Sequence, residues 1–256
     1  MSVHFPFVLF CACLSMNCEL AAAQEQEVAR TDLQWFQDAK LGIFIHWGIY
    51  SVRGVGESWS FHNGEITHGE YMKQLDGFTA KHYDPAAWAD LIQRSGARYA
   101  VITTKHHDGV ALWPTRMAPG LPPHASPYAQ ARSTEHLTPA KRGLIEPLFA
   151  ELRKRELKCG AYFSLIDWSD HNYPAFTKDS TRYAIKDDPA RWQHFRDYYQ
   201  GQINELAAQL KPDLWWFDGD WEHSAEEWEA AKVRAMILEK NPKAIINGRL
   251  QGFGDY

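Results

Sequence analysis

Short apolar segments alternate along most of the chain with longer segments that have a helical period. Five of the apolar segments are candidate buried β-strands, at 41–47, 99–105, 157–165, 214–218 and 244–247. Between them, apolar residues recur every three to four positions, as on one face of a helix. Repeated strand–helix units are typical of a parallel sheet covered by its crossover helices. The pattern therefore predicts an α/β protein.

Capping residues indicate where the crossover helices begin. Asp84 and Asp188 each precede a proline, which is the combination preferred at a helix N-terminus. Ser224 with Glu227 three residues later is a capping box. Apolar stripes follow these signals at Trp88, Leu91 and Ile92; at Trp192, Phe195, Tyr199, Ile203, Leu206 and Leu210; and at Trp228, Ala231, Ala235 and Leu238.

Polar and aromatic side chains are concentrated where the strands end. In parallel barrels the reactive groups lie at the carboxyl ends of the strands. Each such residue also has an ordinary structural explanation, because Trp is usually core and an Asp before Gly is often a turn residue. Their convergence at successive strand ends favours a binding site. The residues are His46, Trp47, His106, His107, Asp108, Asp167, Trp168, Trp216, Asp218, Asn247 and Arg249, with Glu57 and Trp59 in the loop after the first strand.

The spacing in the fourth strand suggests what this site holds. Trp216 and Asp218 are two residues apart and therefore share a face, with Trp215 and Phe217 on the other. An indole beside a carboxylate, with His and Arg donors nearby, suits a neutral carbohydrate. The long Pro-rich loop 113–142 is expected to lie over the mouth of the site.

Charge and the N-terminal composition restrict partners and location. The net charge is −5 and no basic stripe is present, so nucleic acid is not an expected partner. Residues 1–23 combine a short apolar run with Ala21 to Ala23, which predicts a cleaved signal peptide, secretion or a periplasmic location, and no membrane association afterwards. Residues 24–256 then form one catalytic domain. Cys159 remains the single cysteine of that part and is expected to be a buried core thiol.

Several segments together closely resemble the α-L-fucosidases of glycoside hydrolase family 29, from about Trp35 to the last residue. Any one of them is a weak signal, whereas all of them in this order are specific. The segments are 41–48, which ends in His46-Trp47-Gly48; 71–78 and 83–85; 105–109, which contains His106-His107-Asp108; 162–164 with Asp167-Trp168; and 216–219, which contains Asp218.

The resemblance implies an exo-acting retaining α-L-fucosidase that hydrolyses terminal α-L-fucosyl groups of oligosaccharides or glycoconjugates. It implies that Asp218 is the nucleophile and forms a covalent fucosyl-enzyme, and that no metal or organic cofactor takes part. It implies that His46, His106 and His107 bind sugar hydroxyls and that Tyr162 and Arg249 line the site. It also implies that Trp59 and Trp216 contact the apolar side of the sugar.

The resemblance also implies a (β/α)8 TIM-like barrel, which needs eight strands, whereas five are recognisable. An open doubly wound sheet would need only five strands, but its Gly-rich first turn is missing. The chain is therefore expected to be truncated after about five strands. The acid/base Glu is expected beyond Tyr256, so this form should be weak or inactive on poor leaving groups. Glu57 is the nearest substitute acid/base within the chain.

Two other functions compete with this prediction. A metal-dependent barrel hydrolase would use His46, His106, His107 and Asp218 as ligands, but the first strand lacks the His-x-His spacing such sites usually have. An inactive fucose-binding barrel, or degenerate lectin, would retain the pocket without turnover. Linkage preference and oligomeric state have no sequence signal.

Overall fold

The computed structural model describes residues 33–118 and 132–256. The predicted signal peptide and the central part of the 113–142 loop lie outside these residues. The chain separates into two units, 1–38 and 39–256. In the first unit the described residues are 33–38, where helix α1 (Gln34–Ala39) begins.

A five-stranded, entirely parallel sheet forms the centre of the second unit. Its strands are β1 (Gly42–Ile45), β2 (Tyr99–Lys105), β3 (Lys158–Ser164), β6 (Leu214–Asp218) and β7 (Ile245–Ile246), and they pair in that order. A two-stranded antiparallel hairpin, β4 (Ala175–Thr177) and β5 (Ser180–Thr181), lies in the connection after β3. All five predicted strands are confirmed; β2 and β6 have the predicted bounds, and the other three are shorter than predicted.

Helices connect the successive strands of the sheet. They are α2 (Trp59–His62), α3 (His68–Met72), α4 (Pro85–Arg94), α5 (Thr134–Leu137), α6 (Ile145–Lys154), α7 (Pro189–Gln209) and α8 (Ala230–Lys240), with 3₁₀ turns at Ile49–Val52, Lys73–Gly77 and Asp220–Glu222. Asp84 and Asp188 cap α4 and α7 as predicted, since each carboxylate accepts a backbone N–H of the first turn. The predicted capping box also forms, between Ser224 and Glu227.

The helix predicted to follow that box begins later than expected. Glu229 has a left-handed backbone (φ +49°), which interrupts the helix, so that α8 starts at Ala230. The apolar face is shifted as a result. Trp228 is buried as predicted, but Ala231 and Ala235 are exposed, and Ala230, Val233 and Ile237 take the buried positions. Leu91 of α4 is likewise 63% exposed rather than buried.

The two faces of the sheet differ as the period-two argument requires. Trp215 and Phe217 are fully buried against the helices, together with Cys159 of β3, whereas Trp216 and Asp218 are only partly buried on the opposite face. The thiol of Cys159 is free, and burial raises its pKa to about 12, as expected for a core cysteine. Among the described helices, none has the length and apolar character needed to span a bilayer.

The order of the sheet matches successive strands of a parallel barrel. β1, β2, β3, β6 and β7 lie side by side in chain order, with helical connections between them. This arrangement places all five carboxyl ends at one edge of the sheet. A closed eight-stranded barrel stays a prediction.

Candidate active site

The carboxyl ends of β3 and β6 hold the centre of the site. Tyr162 is paired with Trp216, and Ser164 is paired with Asp218, in the parallel register of these two strands. Tyr162, Ser164, Trp216 and Asp218 therefore alternate onto one face of the sheet. Asp218 is the last residue of β6, and its side chain is only 13% exposed.

Two donors hold the carboxylate of Asp218. The hydroxyl of Tyr162 donates to Oδ2 at 2.8 Å, and the guanidinium of Arg249 forms an ion pair with Oδ1. Arg249 lies in the segment after β7, and half of its side chain remains exposed. Both oxygens of the carboxylate are thus oriented by groups from neighbouring strands.

His107 faces the same carboxylate from the turn after β2. Its Nε2 lies 3.8 Å from Oδ2 of Asp218 and has no hydrogen-bond partner among the described residues, although the side chain is fully buried. Its Nδ1 is 2.5 Å from Oγ of Ser164. Burial, reinforced by the nearby Lys105 ammonium, lowers the pKa of His107 to about 3, so the imidazole is neutral at ordinary pH.

Two further histidines and Tyr162 form an aromatic group on one side of Asp218. The ring of His46 lies 5.0 Å from that of Tyr162, and the ring of His106 stacks on Tyr162 at 5.6 Å. Burial lowers the pKa of both imidazoles, although the carboxylate of Asp218 acts in the opposite direction on each. His46 is accessible at the opening, whereas His106 is buried and its Nδ1 lies 2.6 Å from Oγ of Ser58.

Indole rings line another side of the site. Trp59 packs its ring edge-on against His107 and Trp168 at 5.5 and 4.9 Å, and it stacks on Trp221 at 6.4 Å. Trp221 is half exposed and faces the guanidinium of Arg249 at 5.9 Å. Trp216 contacts Phe44 at 5.1 Å. The site therefore combines a buried carboxylate with apolar ring faces, as sugar-binding sites commonly do.

Glu57, the predicted substitute acid/base, lies on the His46 side of the site. It is half-buried in the loop after β1, where its backbone has a positive φ of 32°. Its charge raises the pKa of His46, which places it on that side of the site. Among the described residues its carboxylate has no hydrogen bond or ion pair with Asp218. An acid/base role for Glu57 stays a prediction.

Several residues that shape the site were given no role from the sequence, although Ser164 lies in the matching segment 162–164. Ser164 and Ser58 contact the two buried histidines, Trp221 extends the indole wall, and Glu222 accepts hydrogen bonds from Trp168 Nε1 at 3.1 Å and Tyr173 at 2.5 Å. Trp221 and Glu222 lie only three and four residues after Asp218. Extending the search from the strand ends into the following loops would have found them.

A buried ion-pair network holds the loop after β3. Arg132, from the described end of the 113–142 loop, donates to Asp167 Oδ2 at 2.5 Å and to Asp170 Oδ2 at 3.2 Å. All three side chains are almost completely buried. The part of the long loop around Arg132 is thereby fixed beside Trp168, which forms one wall of the site. Whether residues 119–131 cover the mouth, as predicted, falls outside the described part of the chain.

Gly219 positions Asp218 through its backbone. It has φ +85°, and a Cβ there would lie 2.6 Å from Cγ1 of Ile166. Gly96 has the same φ, but a Cβ there would meet nothing within 4 Å. Gly96→Ala is expected to cost about 1 kcal/mol for the left-handed backbone, and Gly219→Ala about 1 kcal/mol or more in addition for overpacking.

Urea unfolding of both variants measures this difference. Gly219→Ala should also lower activity, because relief of the clash with Ile166 displaces the neighbouring carboxylate, whereas Gly96→Ala should leave activity unchanged. Equal losses of stability in the two variants would show that the close approach of Ile166 has no consequence.

Metal coordination was a competing explanation of the histidines. Within residues 33–118 and 132–256, no group of three or more His, Cys, Asp or Glu side chains is placed to hold a metal ion. His107 directs Nδ1 to a serine, and His106 does the same with Ser58, which are hydrogen-bonding geometries.

Fold and site together define a parallel α/β protein with a largely buried carboxylate, three histidines and several indoles at the carboxyl ends of its strands. The family model described as alpha-L-fucosidase matches residues 9–253. The chain therefore belongs to the α-L-fucosidase family, as the sequence motifs indicated.

Named relatives agree with this membership. Tissue alpha-L-fucosidase of Homo sapiens is 31% identical over 234 residues, which covers 84% of this chain and 46% of that protein. The Mus musculus protein is 30% identical over 237 residues, with 84% and 47% covered. The chain thus spans about half the length of the curated relatives it matches.

Solved structures show the same similarity. Alpha-L-fucosidase isoenzyme 1 from Paenibacillus thiaminolyticus has a TM-score of 0.72 and 32% identity, and 87% of this chain and 51% of that chain are covered. A GH29 alpha-L-fucosidase from Bacteroides thetaiotaomicron, solved as a trapped covalent intermediate with 2-fluoro-fucosyl fluoride, has a TM-score of 0.71 and 29% identity, with 86% and 49% covered.

Proposed function

We propose that the protein is an exo-acting retaining α-L-fucosidase that hydrolyses terminal α-L-fucosyl linkages of oligosaccharides or glycoconjugates. The observation that carries the proposal is the environment of Asp218, a largely buried carboxylate that Tyr162 and Arg249 orient at a strand end lined by histidines and indoles. The choice of fucose as the sugar is based on family membership, since the site chemistry alone fits any neutral carbohydrate with an apolar face.

In the proposed reaction, a carboxylate oxygen of Asp218 attacks the anomeric carbon of the fucosyl group. A C–O bond to Asp218 forms while the glycosidic C–O bond breaks, and the leaving oxygen takes a proton from a general acid. Water then attacks the same carbon, its proton passes to the conjugate base, and Asp218 is released. Two displacements at one carbon retain the anomeric configuration. The Bacteroides thetaiotaomicron relative, described as a trapped covalent intermediate, supports this route by similarity.

The remaining side chains receive binding roles in the same proposal. His46, His106 and His107 bind sugar hydroxyls, and Tyr162 and Arg249 line the site and orient Asp218. Trp59 and Trp216 contact the apolar side of the sugar. Glu57 stays the candidate general acid within the chain on sequence grounds alone, since the two carboxyl groups of a retaining enzyme stand about 5–5.5 Å apart and need no contact. Export by a cleaved signal peptide at 1–23 is also part of the proposal and is based on sequence alone.

The proposal is tested with p-nitrophenyl α-L-fucoside, whose activated leaving group needs little acid assistance. Release of p-nitrophenol is expected, with α-L-fucose as the first product seen by NMR. Incubation with 2-deoxy-2-fluoro-α-L-fucosyl fluoride should add one fluorofucosyl group to the peptide that contains Asp218, as read by mass spectrometry.

The competing function, fucose binding without turnover, predicts a different result in the same experiment. An inactive fucose-binding barrel would bind L-fucose, as calorimetry would show, without releasing p-nitrophenol or forming the adduct.

The stereochemistry of the product tests the nucleophile separately. β-L-Fucose as the first product would indicate a single displacement and would rule out Asp218 as a covalent nucleophile.

A further inference from the structure

The bond between Ser164 and His107 has a defined direction. The hydroxyl of Ser164 donates to the main-chain oxygen of Ile166 at 2.6 Å. Because a serine hydroxyl carries one proton and a carbonyl oxygen cannot donate, that proton is committed to Ile166. The 2.5 Å contact between Ser164 Oγ and His107 Nδ1 must then be a bond in which Nδ1–H donates. The neutral imidazole of His107 therefore has its lone pair on Nε2.

That lone pair faces a second acceptor. Nε2 is buried, has no partner among the described residues, and lies 3.8 Å from Oδ2 of Asp218. Neither atom can donate to the other in this tautomer. A buried acceptor without a donor is costly, so the arrangement fits a ligand that brings a proton, such as a hydroxyl group, to Nε2.

We infer that Ser164 is a positioning residue that fixes His107 in the Nδ1–H tautomer, so that Nε2 accepts from a substrate hydroxyl and cannot donate to Asp218. This inference rests on the proposed fucosidase function. Its consequence for the chemistry is direct. In the opposite tautomer, Nε2–H would point toward Asp218 at 3.8 Å, beside the donors Tyr162 and Arg249, and a sugar hydroxyl at Nε2 would have to accept rather than donate.

Ser164→Ala is the central variant. It removes the acceptor of Nδ1–H, which allows the Nε2–H tautomer, and kcat/KM for p-nitrophenyl α-L-fucoside is expected to fall about 10- to 100-fold, as for other residues that orient a histidine. Ser164→Thr keeps the hydroxyl and should restore most of the activity. Ser95→Ala is the matched control, because Ser95 Oγ likewise donates to a main-chain oxygen, that of Ile92 at 2.7 Å, but lies at the end of α4. The control should leave kcat/KM within a few-fold.

Nitrogen-15 NMR of the histidine side chains provides a measurement that loss of stability alone would not move. Wild-type protein and Ser95→Ala should show an unprotonated Nε2 and a protonated Nδ1 at His107, and Ser164→Ala should show protonation shared with Nε2. The spectrum of the free protein needs no turnover. A protein that is inert toward the fucoside would therefore overturn the fucosidase proposal, while the NMR result would still decide the tautomer.

Binding of monodeoxy L-fucose analogues tests the role of the hydroxyl. In the wild type, one of the 2-, 3- and 4-deoxy analogues should bind about 10-fold or more weakly than L-fucose, because Nε2 loses its donor. In Ser164→Ala the same deletion should cost clearly less. A protonated Nε2 in the wild type, or equal losses for that analogue in both proteins, would overturn the inference.

Discussion

Asp218→Asn is expected to lower turnover of p-nitrophenyl α-L-fucoside by on the order of 10⁴-fold, the scale seen when an enzyme loses its nucleophile. The amide keeps the size of the carboxylate and one of its two acceptor oxygens, so Arg249 can keep its contact while the Tyr162 hydroxyl turns to accept from the amide N–H. Affinity for L-fucose should change much less, because the histidines and indoles remain. Pre-steady-state and steady-state kinetics with calorimetric binding measure both quantities.

Asp213→Asn is the matched control. Asp213 precedes the same strand at its other end, where its carboxylate accepts from Lys158 and from the backbone N–H of Cys159. Its replacement should leave activity within a few-fold. If Asp218→Asn retained a tenth of the wild-type rate, another group would have to be the nucleophile.

Chemical rescue distinguishes a lost nucleophile from a damaged site. In Asp218→Ala, azide can enter the space vacated by the carboxylate. It would form a C–N bond to the anomeric carbon as p-nitrophenolate leaves, and the product should be β-L-fucosyl azide, the inverted anomer. Recovery of rate with azide and identification of that product by NMR would support Asp218. Azide without effect, in a variant that still binds L-fucose, would count against it.

The site could be located from the sequence because the pattern of apolar residues shows where each strand ends. The two-residue period placed Trp216 and Asp218 on one face, and the observed register brings Tyr162 and Ser164 beside them. The order of the strands in the sheet could be predicted equally well, since successive strands of a parallel repeat lie side by side. The family motifs then named His46, His106, His107 and Arg249 as members of one site.

Contacts between distant segments could not be predicted in the same way. The start of α8 is an example. The indole of Trp228 donates to the backbone oxygen of Asp220, and the Tyr199 hydroxyl donates to the backbone oxygen of Trp228 itself. These bonds hold the residue in a turn and leave Glu229 left-handed. A local capping box carries no information about either partner. The choice of His107 tautomer by Ser164 and Ile166 depends in the same way on the folded turn after β3.

The largest effect on stability is expected from Arg132, which the sequence did not single out. Arg132→Ala leaves the buried carboxylates of Asp167 and Asp170 without their cation, and breaking a buried pair in this way typically costs about 3–5 kcal/mol. Urea unfolding at pH 8 measures the loss. Lys178→Ala is the matched control, because Lys178 forms an exposed pair with Asp179, and its removal should produce no resolvable change.

The dependence on pH separates this electrostatic loss from lost packing. Burial already raises the pKa of Asp170 to about 6, even though Arg132 opposes the shift, and removing Arg132 should raise this pKa further. A carboxyl group with a raised folded-state pKa binds more protons in the folded than in the unfolded protein, so its contribution to stability falls as pH rises from about 4 through the folded pKa. The deficit of Arg132→Ala should therefore be smaller at pH 5 than at pH 8. A deficit that is the same at both pH values would mean that Arg132 stabilises the loop by packing alone.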